Sequence, residues 1–269
     1  MVYLVVSNLT VVDTQHPQHD VVCAQQALTL GPTKADALLL PHAHRCVVLM
    51  PSFGKCTYRT DNQTAVTNWY AQRNIAVVLG TDTRSRAGYF SRARAINSAA
   101  RETHETHPER DIYFIADNDL IPSIPHIVHA IQALDRHPAV APHHYTLHTS
   151  IRGRDQLLKG RTTFMYRPHP SGSKSYVVME RASFEANNGM DEKFEGWGPE
   201  DMAFIESIEK QLGPVLRLDG RRLHLWHPMD KSKRDRKQVL ANRARYKQYQ
   251  HSNQHEAKLL AREYGSLYG

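Results

Sequence analysis

Asp111-Ile112-Tyr113-Phe114-Ile115-Ala116-Asp117-Asn118-Asp119 is an apolar run of strand length that stops at two carboxylates separated by one residue. A short continuous apolar run closed by turn-forming residues reads as a strand buried on both faces. Two similar runs precede it. Arg45 to Met50 contains Cys-Val-Val-Leu-Met and ends at Pro51-Ser52-Phe53-Gly54, and Ile75 to Leu79 is closed by Gly80-Thr81-Asp82. Between the runs lie helical patterns. Ala65, Val66, Trp69 and Tyr70 share one face of a helix capped by Thr60 or Asp61, and Ala93, Ile96 and Ala100 align over Ser91 to Thr103. A third helix, with Pro125 near its start, carries Ile127, Ile131 and Leu134 on one side. Strand–helix alternation over residues 45–137 predicts an α/β fold with a mostly parallel central sheet and flanking helices. Ligands of such sheets bind beyond the carboxyl ends of the strands, where Asp117 and Asp119 stand.

The second half is less regular. Ala139 to Pro170 has little periodicity and many His, Arg and Thr. Ser175 to Glu180 reads as a strand, and Arg181 to Asn188 as a short helix stopped by Gly189. Phe194 to Asp201 is a Gly-rich aromatic loop that opens a helix. Val215 to Leu218 and Arg222 to Trp226 read as strands around an Asp219-Gly220 turn. Residues 1–44 form an N-terminal extension, with Val2 to Val12 strand-like and Thr14 to Asp20 a polar loop. A basic helical segment, 229–269, closes the chain.

Composition narrows the class. The chain has 269 residues, 41% hydrophobic and 23% charged, which is ordinary for a globular protein. No stretch approaches the roughly 20 apolar residues of a membrane-spanning helix. Three cysteines, Cys23, Cys46 and Cys56, follow no metal-ligand spacing and make no disulfide framework. A reducing, cytoplasmic setting without membrane association is therefore expected. Net charge is +7, and Asp230 to Tyr249 alone holds eight Lys or Arg against two Asp. That stripe is either an electrostatic footprint for a polyanion or the solvated face of a helix.

Three constellations carry chemistry. Asp117 and Asp119 offer hard oxygen ligands suited to Mg²⁺ or Mn²⁺ with phosphate oxygens, although turn and capping roles also explain such a pair. Gly196-Trp197-Gly198-Pro199-Glu200-Asp201 joins glycines that admit close backbone approach, a flat indole and two acids at a helix start. His224-Leu225-Trp226-His227-Pro228 ends a strand; alternation lets at most one histidine follow that strand, and His227 ranks ahead of His224 as a ligand.

Together these blocks resemble the β-1,4-galactosyltransferase family and its relatives, including bacterial chondroitin-polymerase-type domains, over residues 45–228. Phe90-Ser91-Arg92-Ala93-Arg94-Ala95-Ile96-Asn97 is similar to the family's Phe-Asn-Arg-Ala-Lys-Leu-Leu-Asn, and Asp117-Asn118-Asp119 to its Asp-x-Asp metal motif. Asn188-Gly189-Met190-Asp191-Glu192 through Asp201 resembles its Asn-Gly-Phe and Gly-Trp-Gly-Gly-Glu-Asp block. The resemblance implies a GT-A glycosyltransferase domain that inverts the anomeric centre. It implies Asp119, His227, Asp117 and His224 as ligands of Mn²⁺ or Mg²⁺. A nucleotide-sugar donor, UDP-linked, would lie against Pro51, Arg59, Asp82, Phe90, Arg92, Asp117, Asn118, Gly172 and Trp197. Asp201 is the expected general base, with Glu200, Trp197 and Gly198 at the acceptor. Two departures stand out: Pro199 replaces a Gly in a loop that moves in relatives, and Ser52-Phe53-Gly54-Lys55 replaces Phe-Arg-Asn-Arg.

The membrane anchor of the animal enzymes has no counterpart, which fits a bacterial cell or a virus-infected host. With the basic segment 230–249, this points to a polyanionic acceptor such as a hydroxymethylated base in viral DNA; glycans and protein side chains present the same hydroxyl. Two other classes share part of the pattern. A nucleotidyltransferase would not need the Gly-Trp-Gly-Pro-Glu-Asp block, and a non-catalytic nucleic-acid-binding module would not need Asp117, Asp119 or Asp201.

Overall fold

A computed structural model describes residues 21–24, 35–52, 56–83, 89–161, 163–170, 175–228, 235–263 and 267. The three apolar runs form β2 (Cys46–Pro51), β3 (Ala76–Gly80) and β4 (Ile112–Ile115), parallel to one another with β2 between the other two. They belong to a six-stranded sheet completed by β6 (Ala139–Ala141), β9 (Val177–Glu180) and β10 (Leu216–Arg217), in the order β10-β6-β9-β4-β2-β3. Only β9 runs against its neighbours. Alternate residues of the central strands serve opposite cores. Cys46, Val48, Met50, Ile112 and Phe114 face one way, against α1 (Asp36–Ala43), α2 (Thr57–Ala71) and α4 (Ile124–Ala133). Val47, Leu49, Tyr113 and Ile115 face the other, against α3 (Arg92–Thr106), α6 (Arg181–Ala186) and α7 (Glu200–Gln211). Burial on both faces explains why these strands are continuous apolar runs.

A second sheet takes two of its strands from the stretch Ala139 to Pro170, where the sequence shows little periodicity, and a third from the expected strand at Arg222 to Trp226. It comprises β1 (Val21–Ala24), β5 (Leu120–Pro122), β7 (Tyr145–Thr149), β8 (Thr163–Pro170) and β11 (Arg221–His224), in the order β1-β8-β7-β11-β5, with α5 (Ile151–Leu158) between β7 and β8. β7, β8 and β11 mix His, Arg and Thr with isolated apolar positions, while β1 and β5 are apolar but only four and three residues long. The Asp219-Gly220 turn does not join a hairpin. β10 pairs with β6 in one sheet and β11 with β7 and β5 in the other. Gly220 lets the chain cross between them: its carbonyl accepts from the N–H groups of His144 and Tyr145, and a Cβ there would lie 2.1 Å from the Pro142 carbonyl oxygen.

Local boundaries follow hydrogen bonding. Ser91 caps α3, its Oγ accepting from the Arg94 N–H at 3.2 Å and donating to the Phe194 carbonyl at 2.7 Å. Neither Thr60 nor Asp61 caps α2, which begins at Thr57 behind an extended Cys56; the Thr60 hydroxyl instead donates back to the Cys56 carbonyl from inside the helix. The C-terminal helices are packed, not free. Lys210 of α7 donates to the carbonyls of Tyr249 and Ser252 at the end of α8 (Arg236–His251). A reciprocal Asn253–Glu256 capping box starts α9 (Gln254–Arg262). The expected strands of Val2 to Val12 and the loop of Thr14 to Asp20 lie outside the described residues.

Candidate active site

The carboxyl ends of β2, β3 and β4, the N-termini of α3 and α7 and the end of β11 converge. Pro51 closes β2 opposite Gly80, and the Ser52 N–H donates to the Gly80 carbonyl at 2.8 Å. β4 ends one residue before Ala116, and Asp117-Asn118-Asp119 turns the chain into β5. Register then fixes the metal-ligand candidates. β5 and β11 are antiparallel with Leu120 opposite His224, and the Leu225 N–H donates to the Asp119 carbonyl at 2.8 Å.

Asp119 lies between the two imidazoles. Its Oδ2 is 3.1 Å from His227 Nε2, its Oδ1 is 3.7 Å from His224 Nε2, and Arg59 approaches Oδ2 at 3.8 Å. One ligand atom from each of Asp119, His224 and His227 lies within 4.8 Å of the others, a spacing that fits one divalent ion; no other such group of His, Cys, Asp or Glu occurs among the described residues. His224 ends the strand, while His227 belongs to the following loop and turns back, so both reach Asp119. His227 Nδ1 lies 3.1 Å from the Pro228 carbonyl; with a cation at Asp119, an Nδ1–H donating there would leave the Nε2 lone pair for the ion. Burial alone would push the Asp119 carboxyl up, but His224, His227 and Arg59 together hold it below the usual carboxylate range. Burial lowers His224 despite Asp119.

Asp117 points elsewhere. Its Oδ1 accepts from Arg92 Nε at 2.6 Å, and Arg92 also donates to the Ser175 carbonyl at 3.1 Å. Beside this pair, Glu200 and Asp201 open α7, both within electrostatic reach of Arg92. Burial, then the Asp201 charge, pushes the Glu200 carboxyl up to about 8, and Glu200 Oε2 is buried without a hydrogen-bond partner. Burial also raises Asp201, against the pull of Arg92. The two acids therefore share a site where at least one favours its protonated form.

The remaining sequence candidates divide by what they touch. Asn118 is buried and donates to Gln63 at 3.2 Å. Asp82 accepts from the Ser91 N–H at 2.7 Å and from Arg94 at 2.8 Å, so it braces the start of α3. Phe90 presents its carbonyl to the Gly196 N–H at 2.8 Å. Trp197 is 50% exposed, with its indole on the surface of the loop. Gly172 and the segment 230–234 lie outside the described residues. Asn97, the last residue of the Phe90–Asn97 block, donates to the Met190 carbonyl and accepts from the Met190 N–H, which ties that block to the Asn188–Glu192 block.

Several contributors had no signal in the sequence reading. Asn242 of α8 is buried and donates to the carbonyls of Glu195 and Trp197 at 2.7 and 3.1 Å, clamping the aromatic loop. Gly198 sits so near that a Cβ would meet the Asn242 amide nitrogen at 2.5 Å. Arg222 is buried two residues before His224, on the same face of β11, with Nη1 lacking a hydrogen-bond partner and Asp117, Asp119 and Asp201 in electrostatic reach. The His148 ring lies 4.6 Å from that of His224, and burial then His224 lowers it to about 4. A period of two from His224 back to Arg222 was the one available clue.

Residues 167–228 match the family model described as the N-terminal domain of galactosyltransferase. By that match the chain is a glycosyltransferase. The matched stretch runs from β8 through His227 and takes in Glu200, Asp201 and His224; Arg92 and Asp117 to Asp119 precede it. In structure the glycosyltransferase is similar to the catalytic domain of Drosophila β1,4-galactosyltransferase 7 with xylobiose, at 16% identity over 77% of this chain and 81% of that one, TM-score 0.42. It is similar to Mycobacterium tuberculosis glucosyl-3-phosphoglycerate synthase with Mn²⁺, UDP and phosphoglyceric acid, at 14% identity over 79% and 81%, TM-score 0.44. A third likeness is to GalNAc-T7 with UDP, GalNAc and Mn²⁺, at 12% identity over 81% of this chain and 48% of that one, TM-score 0.46. No curated protein matches the chain in sequence. Among the described residues no helix is long and apolar enough to cross a membrane.

Proposed function

We propose that this glycosyltransferase is metal-dependent and moves a sugar from a UDP-linked or similar nucleotide-sugar donor to an acceptor hydroxyl, with inversion. The observation that carries the reading is the Asp119–His224–His227 cluster, set at strand ends opposite the acids that open α7. Those three residues would hold a divalent cation, which when bound supplies positive charge to the donor diphosphate. One carboxylate with two imidazoles favours Mn²⁺ over Mg²⁺, because imidazole suits softer ions than an all-oxygen site does. Arg92, oriented by Asp117, adds a second cation for the charge that develops on the departing nucleoside diphosphate.

Asp201 accepts the proton of the acceptor hydroxyl. That oxygen bonds to the anomeric carbon as the carbon–phosphate-oxygen bond breaks, and the bonding pair leaves with the diphosphate. Glu200 orients the acceptor, and the exposed face of Trp197 packs against sugar. A single displacement from the side opposite the leaving group inverts the centre.

For the acceptor, α8 supports a polyanion such as hydroxymethylated DNA. Its exposed side carries Arg236, Lys237, Arg243 and Lys247, while its buried side holds the aromatic loop through Asn242. Arg245 is not part of that face: it is paired with Asp191 and Glu263. Cys46 and Cys56 are unpaired, in keeping with a reducing, cytoplasmic setting. The test is nucleotide release from a panel of nucleotide sugars with Mn²⁺ or Mg²⁺, with and without hydroxymethylated DNA. Release from one donor that requires metal, stimulated by DNA, supports both parts. Silence across the panel with tight DNA binding retained contradicts the transferase and favours a binding module.

A further inference from the structure

His224 and His227 bracket a loop whose backbone is held by side chains far away in sequence. Asn62 of α2 is fully buried, and its amide donates to the carbonyls of Leu225 and Trp226 at 3.4 and 3.2 Å. The same side chain is itself oriented: its Oδ1 accepts from Arg154 Nε at 2.8 Å. Arg154 of α5 is buried too, fixed by the Tyr58 carbonyl and by Asp61 and Asp155 at 3.0 and 2.8 Å. From the other side Thr149 of β7 donates to the His224 carbonyl at 3.3 Å and accepts from the Trp226 N–H at 2.8 Å. The Trp226 ring stands edge-on to Tyr58, with centroids 5.1 Å apart.

The four hydrogen bonds made by Asn62 and Thr149 all address the backbone of residues 224–226, and none touches an imidazole. They satisfy polar groups that would otherwise be buried unpaired, which is one role. Their convergence on His224 and the two residues that separate it from His227 defines another. With Leu225 also tied to Asp119, the direction in which each ring enters the site is set by Asn62, Thr149 and, through Asn62, Arg154.

We propose that Asn62 and Thr149 are positioning residues that set the affinity of the Asp119–His224–His227 site for a divalent cation, with Arg154 orienting Asn62. This rests on the metal reading above. Partners that orient metal ligands without touching the metal contribute roughly 10–100-fold in affinity.

The experiment is titration of the full chain with Mn²⁺ alone, by calorimetry or by the electron spin resonance of free Mn²⁺. The wild type, His227→Ala, Asn62→Asp and Thr149→Val are compared. Asn62→Asp keeps the acceptor for Arg154 and replaces the donor to the loop by a carboxylate oxygen that repels the two carbonyls; Thr149→Val is near-isosteric, adds no charge and provides a second, independent probe. The expected result is binding by the wild type, loss in His227→Ala, and dissociation constants raised roughly 10–100-fold in the other two. Their nucleotide release should return towards wild type as Mn²⁺ is raised, while their metal-free melting temperatures stay at the wild-type value, which separates positioning from a destabilised fold that Mn²⁺ would also rescue. Wild-type affinity in both Asn62→Asp and Thr149→Val, with His227→Ala defective, overturns the positioning role and leaves the metal site standing. No Mn²⁺ binding by the wild type, or equal binding by His227→Ala, overturns the metal reading itself.

Discussion

At the scale of residues, the site is a contest of charges. Asp119 stays ionised because two imidazoles and Arg59 outweigh its burial, whereas Glu200 and Asp201, with Arg92 as their near cation, are pushed towards the protonated form. Asp201→Asn should lower turnover by roughly two to four decades while donor binding persists, as calorimetry with the nucleotide sugar would record. A near wild-type rate would remove Asp201 from the role of base. Glu200 gives a stability prediction with a definite sign. A buried carboxyl whose pKa rises to about 8 keeps its proton in the folded state while the unfolded chain loses it, so stability drains as pH rises from the ordinary Glu value towards 8. Glu200→Gln should therefore gain in melting temperature relative to wild type across that window and level off above it; a pH-independent difference would contradict the assignment. Residues inside short contiguous blocks, such as Asp119, Glu200 and His227, were legible because their chemistry and spacing lie on one line of sequence. Asn62, Thr149 and Asn242 were not, since a side chain bonded to a distant backbone leaves no periodic or compositional trace.

At the scale of elements, the N-terminus of α3 connects fold to site. Ser91 caps the helix and holds Phe194, Asp82 grips Ser91 and Arg94, and Arg92 emerges one residue later beside Asp117. Ser91→Ala removes a cap and a buried hydrogen bond, and should cost about 1–2 kcal/mol in denaturant unfolding. An unchanged midpoint would show that the Asp82–Arg94 contact alone fixes the start of α3. The elements of the first half were readable because strands buried on both faces are long apolar runs and their helices carry one apolar stripe. In the second sheet β11 was readable, whereas β7 and β8 were hidden because His, Arg and Thr interrupt their apolar positions. Both strands around the Asp219-Gly220 turn were readable, but sequence shows the turn residues and not which sheet each flanking strand joins.

At the scale of the whole molecule, α8 exposes Arg236, Lys237, Arg243 and Lys247 and also clamps the Gly-rich aromatic loop ahead of α7 through Asn242. If the acceptor is DNA, binding should weaken steeply with salt, and Arg243→Ala with Lys247→Ala should flatten that slope while leaving release from the donor alone unchanged. A flat salt dependence in the wild type would turn the acceptor towards a neutral glycan. Inversion is checked by the anomeric proton coupling of the product before it equilibrates; retention would exclude the single displacement. Nucleotide release from a cognate sugar donor across a Mn²⁺ titration, in wild type and His227→Ala, shows whether the Asp119–His224–His227 cluster makes donor chemistry depend on a cation. Release should rise with Mn²⁺ and vanish in chelator for the wild type, with the variant's curve displaced to much higher Mn²⁺. Release that is indifferent to chelator, or identical in the two proteins, would contradict that dependence.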